Sequence, residues 1–526
     1  MQRNVIIIGA GLAGIMAAFS AQSEGAEVLL IDKGSIGVGT NSILAGGVFA
    51  APTSTYSPEA YIKDTLQIGK MINNKLRVKL VAQQAPSAIN FLRSFGLNLI
   101  ESSDHYFLKS SRTDVIPGVT LMKKLVEKIR KLDGINILNS FYVTEILTQD
   151  KRLFGVSGLD KSGRKLSICA PSVVIATGGG GAIYLRNDNQ KRMMGQGYYL
   201  AAKAGIELWD IEFIQFYPLV MAEPRLPSML LYPPYPKEAK IINASGEDVG
   251  RKYGMSDVNE SIMEKRDALS AILFQEGSAG PIYMDYRKVS STSWATYPLS
   301  LLTKIKFDFR TKPVTISPGA HFFMGGIRTD ESGQTSLPGL FACGEVVWGL
   351  HGANRRGGNA LTECLVMGTI AGKHAAIHSL SQNSTPLKTK ESRDLALNIS
   401  PVDRQFRDLS RRLKEIAWKY AGVVRSEEGI KMGMKEIKLL ERQLETKVSH
   451  SIPERKLKED LMSASFILKA VLIASLARKE SRGSFNRTDF SQEDNINWRK
   501  NSCLIYDRKE ARFSLSHHQV IKRRVN

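Results

Sequence analysis

The sequence predicts an α/β fold built on a Rossmann-like sheet, and three observations predict it. The opening stretch "NVIIIGAGLAGIMAAFSAQSEGAEVLLIDKG" runs as a buried strand, a glycine turn, a small-residue helix and a second strand ending at Asp32. Two later strands also end in glycines, "SVVIATGGGGAIY" at 172–184 and "GLFACGEVV" at 339–347. Near the C-terminus, "FRDLSRRLKEIAWKY" and "GIKMGMKEIKLLERQLE" carry helical apolar spacing with charged outer faces.

Each element has a physical reading. Gly9 permits the tight turn after the first strand, Gly11 lets the backbone approach a pyrophosphate, and Gly14 lets the helix lie close to the sheet. Asp32 is placed to take ribose hydroxyls, so strand, turn, helix and acid together read as a dinucleotide site. After Gly344–Glu345, the stretch "HGANRRGGNALTECLVMGTIAG" feeds a glycine-rich turn into a helix from about Asn359, whose Gly368, Ala371, Gly372 and Ala375 permit close packing. A helix N-terminus aimed at a flavin ring would stabilise the negative charge that reduction places there, which favours FAD over NAD.

At 526 residues the chain is expected to hold two or three domains. Its formal net charge of +21 favours anionic ligands, acidic partners or membrane surfaces, but the basic residues are scattered, so no nucleic-acid partner is expected. Only four cysteines occur, Cys169, Cys343, Cys364 and Cys503, far apart and in no CxxC run. That offers no local iron–sulfur or haem site and, with no basic-then-apolar leader ahead of the first strand, suggests a reducing cytoplasm. The apolar stretch 461–477 contains Lys469 and is short for a membrane span, so a core helix is expected there.

Residues 229–240, "MLLYPPYPKEAK", pose a separate question. Tyr232 and Tyr235 stand among three prolines, which fix φ and remove backbone donors, so the segment is a stiff loop presenting two phenols.

From end to end, the motifs "GAGLAG", "ATGGGGAIY", "EFIQFYP", "IYMDYR", "AHFFMGGI", "LFACGE", "HGANRRGGNAL" and "ESRGSFNRTDF" resemble the flavoprotein subunits of the succinate dehydrogenase and fumarate reductase family, which includes L-aspartate oxidase. The resemblance implies a Rossmann-like FAD-binding domain in two pieces, 1–216 and 319–385, an inserted α+β capping domain at 217–318, and a C-terminal helical domain at 386–526. It implies an FAD-dependent oxidoreductase acting on CH–CH bonds, with hydride passing between flavin N5 and an activated double bond. Thr40 stands where covalent members carry a histidine, so noncovalent FAD is expected. Cofactor contacts implied by the resemblance fall on Gly9, Gly11, Gly14, Asp32, Thr40, Gly46, Gly47, Thr177, Gly178, Glu345, Ala360 and Leu361, with Gln196 replacing a usual aspartate.

For the substrate, the resemblance assigns one carboxylate clamp to Arg287, His321 and Arg355, and leaves His351 and Arg356 as structural. Two guanidiniums there would polarise a carboxylate or carbonyl through charge-assisted bonds. The other clamp is altered. Tyr217 replaces a histidine, and, with the loop aligned through "IINASGEDVGRKY", Leu231 replaces a threonine while Tyr232 and Tyr235 replace a glutamate–arginine proton relay. Tyrosine can flank an uncharged group and still donate or relay through its hydroxyl. A second carboxylate buried there would lose its cations, at a cost of several kcal/mol. The expected substrate is therefore an unsaturated monocarboxylate or enone-like carbonyl, rather than the dicarboxylates of fumarate reductase, succinate dehydrogenase or L-aspartate oxidase. The first alternative is a flavin-bearing electron-transfer subunit whose substrate site is lost, and the further one is L-aspartate oxidase or a true fumarate reductase or succinate dehydrogenase. The main reading and the first alternative both expect a separate redox partner such as an iron–sulfur protein.

Overall fold

The computed structural model describes residues 4–112, 115–255, 257–382 and 400–520. Its first layer is a five-stranded parallel sheet in the order Leu340–Ala342, Ser172–Ile175, Val5–Ile8, Val28–Asp32, Ile135–Asn139. Four-residue apolar runs such as Val5–Ile8 and Ser172–Ile175 are buried throughout, as strands covered on both faces must be. One face is covered by the helices Leu12–Ser23 and Asn359–Ser381. These two helices cross almost backbone to backbone: a Cβ added at Gly368 would stand 2.5 Å from the Ala13 carbonyl oxygen, and one at Gly372 would stand 2.1 Å from that of Ala17. The two glycines therefore bring the N-terminus of the second helix to the sheet edge where the first glycine turn lies.

The cap contains a four-stranded antiparallel sheet in the order Ile214–Met221, Val314–Phe323, Ile282–Asp285, Lys240–Ile242. Its first two strands pair with each other and run through the expected boundaries at 217 and 318, so each strand begins or ends in the FAD domain and continues into the cap. Helix Arg266–Ala279 lies on this sheet with Leu269, Ser270 and Leu273 buried, and Ser270 Oγ donates to the Phe216 carbonyl at 2.9 Å. The expected boundary at 385–386 lies outside the described residues.

Helices Arg404–Ala421, Glu427–Thr446 and Ile452–Ala477 form the C-terminal bundle and share one apolar core with the first sheet. The last is the one described helix long and apolar enough to cross a membrane, but 67% of its apolar window is buried inside the protein. Lys469 on it pairs with Glu441 at 3.3 Å. The C-terminal region is not wholly helical. Strands Lys500–Asp507 and Arg512–Gln519 form a hairpin that extends a sheet begun by Gly326–Ile327 and Leu208–Trp209.

Buried charges hold that hairpin region to the FAD domain. Arg478, fully buried, bonds Glu212 Oε1 and Glu480 Oε1, both at 2.8 Å, and Arg482 bonds both oxygens of Glu480 at 2.8 and 2.9 Å. These residues belong to or adjoin the "ESRGSFNRTDF" motif, whose work is therefore structural. Burial, and next the nearby Glu212 charge, push the Asp210 carboxyl well above the usual range.

Candidate active site

The cofactor cradle forms where the first turn, the Thr177–Gly178 strand end and the second helix meet. Gly9 has φ +104°, and a Cβ there would stand 2.3 Å from the Ala176 carbonyl oxygen, so the turn requires glycine. The first helix has no cap from its own Gly11; instead Ser42 Oγ accepts from the Leu12 N–H at 3.0 Å. Helix Asn359–Ser381 starts from Gly358 at φ +82° without a side-chain cap, leaving the N–H groups of its first turn, including Ala360 and Leu361, without intrahelical acceptors. Asp32 accepts from the Gly34 N–H at 2.7 Å and from the Ala10 N–H at 3.1 Å, which fixes its carboxylate beside the first glycine turn.

Two hydroxyls, Thr40 Oγ1 and Thr177 Oγ1, are buried without a hydrogen-bond partner, and Thr40 lies beside Gly11. Buried polar groups are rarely left unpaired, so a polar ligand between these walls fits the chain. Gln196 is turned away from that role, donating to the Val143 carbonyl at 2.6 Å. Gly46 lies under Tyr232, where a Cβ would touch the ring at 3.6 Å, whereas Gly47, at φ +78°, faces Pro117 and Leu108.

Glu345 accepts from the Phe323 N–H at 3.2 Å and from Asn41 Nδ2 at 3.4 Å, and burial pushes its carboxyl up to about 7. A raised carboxyl takes up a proton on folding, so its stabilisation is complete below the ordinary glutamate range and is lost as pH rises from about 4.5 to about 7. Glu345→Gln is expected to flatten the fall in apoprotein stability between those values by up to ~3 kcal/mol, measured by thermal melts across the range.

Beyond the cradle, a polar cluster is organised by Arg355, buried on the turn before the second helix. Its Nε donates to Gln215 Oε1 at 3.1 Å, its Nη2 lies 2.9 Å from His321 Nε2, and its guanidinium packs 4.8 Å from the Phe322 ring centroid. Arginine has only donors, so His321 Nε2 accepts and the ring proton is on Nδ1, which lies 2.6 Å from Asp188 Oδ2. Carboxylate, imidazole and guanidinium thus stand in one line.

The second guanidinium at this site comes from Arg266. It is half-buried at the start of helix Arg266–Ala279, with Nη2 2.7 Å from the Arg355 carbonyl oxygen and Nε buried without a partner. Burial, and next the Arg266 charge, push the Arg355 guanidinium down to about 10. The expectation for Arg287 is corrected here. Its side chain is 45% exposed and bidentate on Asp285, at 2.9 and 2.8 Å, because the turn after strand Ile282–Asp285 leaves it on the solvent side. His351 is buried against Glu363 at 2.9 Å, and Arg356 bonds Asp104 and lies over the Tyr56 and Tyr61 rings.

Tyrosines form the opposite wall. Tyr217 lies 5.7 Å from the His321 ring centroid, and Tyr232 lies 5.7 Å from that of Tyr297. Leu231 is fully buried beside them. Tyr235 donates to the Leu231 carbonyl, Tyr297 to that of Leu230, and Tyr232 to that of Leu44 at 3.2 Å. A phenol has one proton, and three of these end on backbone carbonyls. The expected relay through Tyr232 and Tyr235 is therefore corrected: they close a wall, and burial holds both phenols well above their ordinary range. Sequence reasoning missed Arg266, Asp188 and Ser42. Only Arg266 carried a local signal, an Arg-Asp pair opening an apolar-spaced helix.

Residues 4–361 match the FAD binding domain family, and residues 410–526 match the fumarate reductase flavoprotein C-terminal family. The chain belongs to the FAD-dependent fumarate reductase and succinate dehydrogenase flavoprotein family. An uncharacterised FAD-dependent oxidoreductase of Methanocaldococcus jannaschii is 30% identical over 96% of both chains. One of the subunits of the fumarate reductase (CoM/CoB) of Methanothermobacter marburgensis is 29% identical over 97% of this chain and 98% of its own. The FrdA chain of a mutant E. coli quinol fumarate reductase superposes with a TM-score of 0.85 at 23% identity, covering 99% of this chain and 97% of that one. Membership makes the protein an FAD-dependent oxidoreductase, and FAD is the ligand that the glycine cradle and its two unpaired threonine hydroxyls fit.

Proposed function

We propose that this flavoprotein adds or removes hydrogen across the activated carbon–carbon bond of a monocarboxylate or enone-like substrate. The observation that carries the reading is the polarity of the site: Arg355, Arg266 and His321 converge at one end with Tyr217 beside His321, while Leu231 and Tyr232 line the other, where no lysine or arginine among the described residues bonds them. Bound FAD, noncovalent because Thr40 offers no ring nitrogen, supplies the two-electron chemistry. Arg355 and Arg266 would hold the substrate carboxylate or carbonyl in two forks and draw charge from the double bond. Burial and the neighbouring Arg266 charge ease release of a proton from Arg355.

The tyrosine wall accommodates an uncharged substrate end, aromatic or aliphatic. A second carboxylate there would be unpaired, costing several kcal/mol. A redox partner is needed to close the cycle, and an iron–sulfur protein is the proposed one. Four unpaired cysteines support a reducing, cytoplasmic setting.

The test is anaerobic photoreduction of the holoprotein followed by addition of crotonate, cinnamate, a cyclic enone or fumarate. Reoxidation by one of the first three, at least ~100-fold faster than by fumarate, is the expected result. Faster reaction with fumarate overturns the substrate assignment. Reoxidation by an electron-transfer protein alone replaces the enzyme reading with that of an electron-carrying subunit.

A further inference from the structure

Among the described residues, Asp188 is the one carboxylate bonded to the His321 ring. Its side chain is 8% exposed, with Oδ2 2.6 Å from His321 Nδ1 and Oδ1 accepting from Asn189 Nδ2 at 3.3 Å. Among the described residues no lysine or arginine bonds it, so its charge is shared only with neutral groups. That charge is felt on both sides. It acts on the Arg355 guanidinium and on the phenols of Tyr232 and Tyr297, whereas at Tyr217, whose ring lies 5.7 Å from that of His321, the Arg266 charge acts ahead of it.

We propose that Asp188 is a specificity determinant: a fixed carboxylate behind His321, facing the tyrosine wall, that repels a second carboxylate on the substrate while leaving the arginine end free to bind the first. This deepens the proposed function and rests on its assignment of Arg355, Arg266 and His321 to carboxylate binding. The physical argument is that two like charges within one water-poor site interact strongly, and among the described residues no lysine or arginine bonds Tyr232 or Tyr297 to offset the repulsion. A neutral substrate end meets no such opposition. Asp188 also fixes the His321 tautomer, but that effect would alter monocarboxylates and dicarboxylates alike, whereas charge repulsion separates them.

The experiment uses the FAD-loaded protein and the flavin absorbance change on titration with two unreactive saturated acids, butyrate and succinate. In the unaltered protein butyrate is expected to bind more tightly. Asp188→Asn is expected to shift the butyrate-to-succinate ratio of dissociation constants toward succinate by about tenfold or more. Asp188→Ser, smaller and also uncharged, should shift it the same way and serves if the asparagine variant fails to hold flavin. An unchanged ratio in a flavin-loaded variant, with butyrate still preferred by the unaltered protein, overturns the role of Asp188 and leaves the monocarboxylate reading standing. Preference of the unaltered protein for succinate overturns that reading and this inference with it.

Discussion

Arg266→Gln is expected to lower kcat/KM for the enoate substrate by on the order of 10²–10³-fold, while Arg287→Gln leaves it within about twofold. Both are arginines of the cap, and the difference lies in where their guanidiniums end. Arg266 reaches the Arg355 carbonyl at 2.7 Å and keeps a buried Nε without a partner, a donor free for a ligand. Arg287 is spent on Asp285 in an exposed pair, and such pairs contribute little. Arg266→Lys should recover only part of the loss, because a point charge does not reproduce the planar fork. Steady-state rates with crotonate, together with the dissociation constant of butyrate, check the prediction. Equal losses in the Arg266 and Arg287 variants would overturn the assignment.

Arg478→Met is expected to destabilise the fold by about 3–5 kcal/mol. The guanidinium is fully buried, bonds Glu212 and Glu480, donates to the carbonyls of Trp498 at 3.1 Å and Lys500 at 2.9 Å, and lies 4.7 Å from the Phe213 ring centroid. Removing it leaves Glu212 facing Asp210 without their shared cation, and a buried charge stripped of its partner costs far more than the pair contributes. Thermal unfolding, read by flavin release, should show the loss. Adding Glu212→Leu to the same chain should recover part of it, since an apolar pair of similar volume avoids the unpaired charge. A loss below about 1 kcal/mol would place the junction between hairpin and FAD domain elsewhere.

The nucleotide half of the protein was legible because its signals are local. Gly9 must be glycine for its own φ and for its contact with Ala176, and the strand, turn and helix around it follow within thirty residues. The close helix crossing at Gly368 and Gly372 was legible for a related reason: small residues repeating every three or four positions lie on one helix face. The apolar helix Ile452–Ala477 was likewise placed in the core by its interrupting Lys469. The terminal hairpin was not foreseen: its two strands pair with each other, but the sheet they extend is reached only through Leu208–Trp209, about three hundred residues earlier.

At the candidate site, the chain by itself determined that a flavin binds, and it pointed to His321, Arg355 and Tyr217, which the fold brings together. Tertiary structure decided the rest. It took Arg266 from the start of a helix rather than Arg287 from the end of a strand, because the helix packs on the crossover strand beside Arg355 and the strand end faces solvent. It directed three phenol protons onto backbone carbonyls, turning an expected relay into a wall. It also set Asp188 behind His321 across 133 residues of chain. Backbone conformation leaves its mark residue by residue, whereas the direction of a long polar side chain depends on which distant partner the folded chain brings within reach.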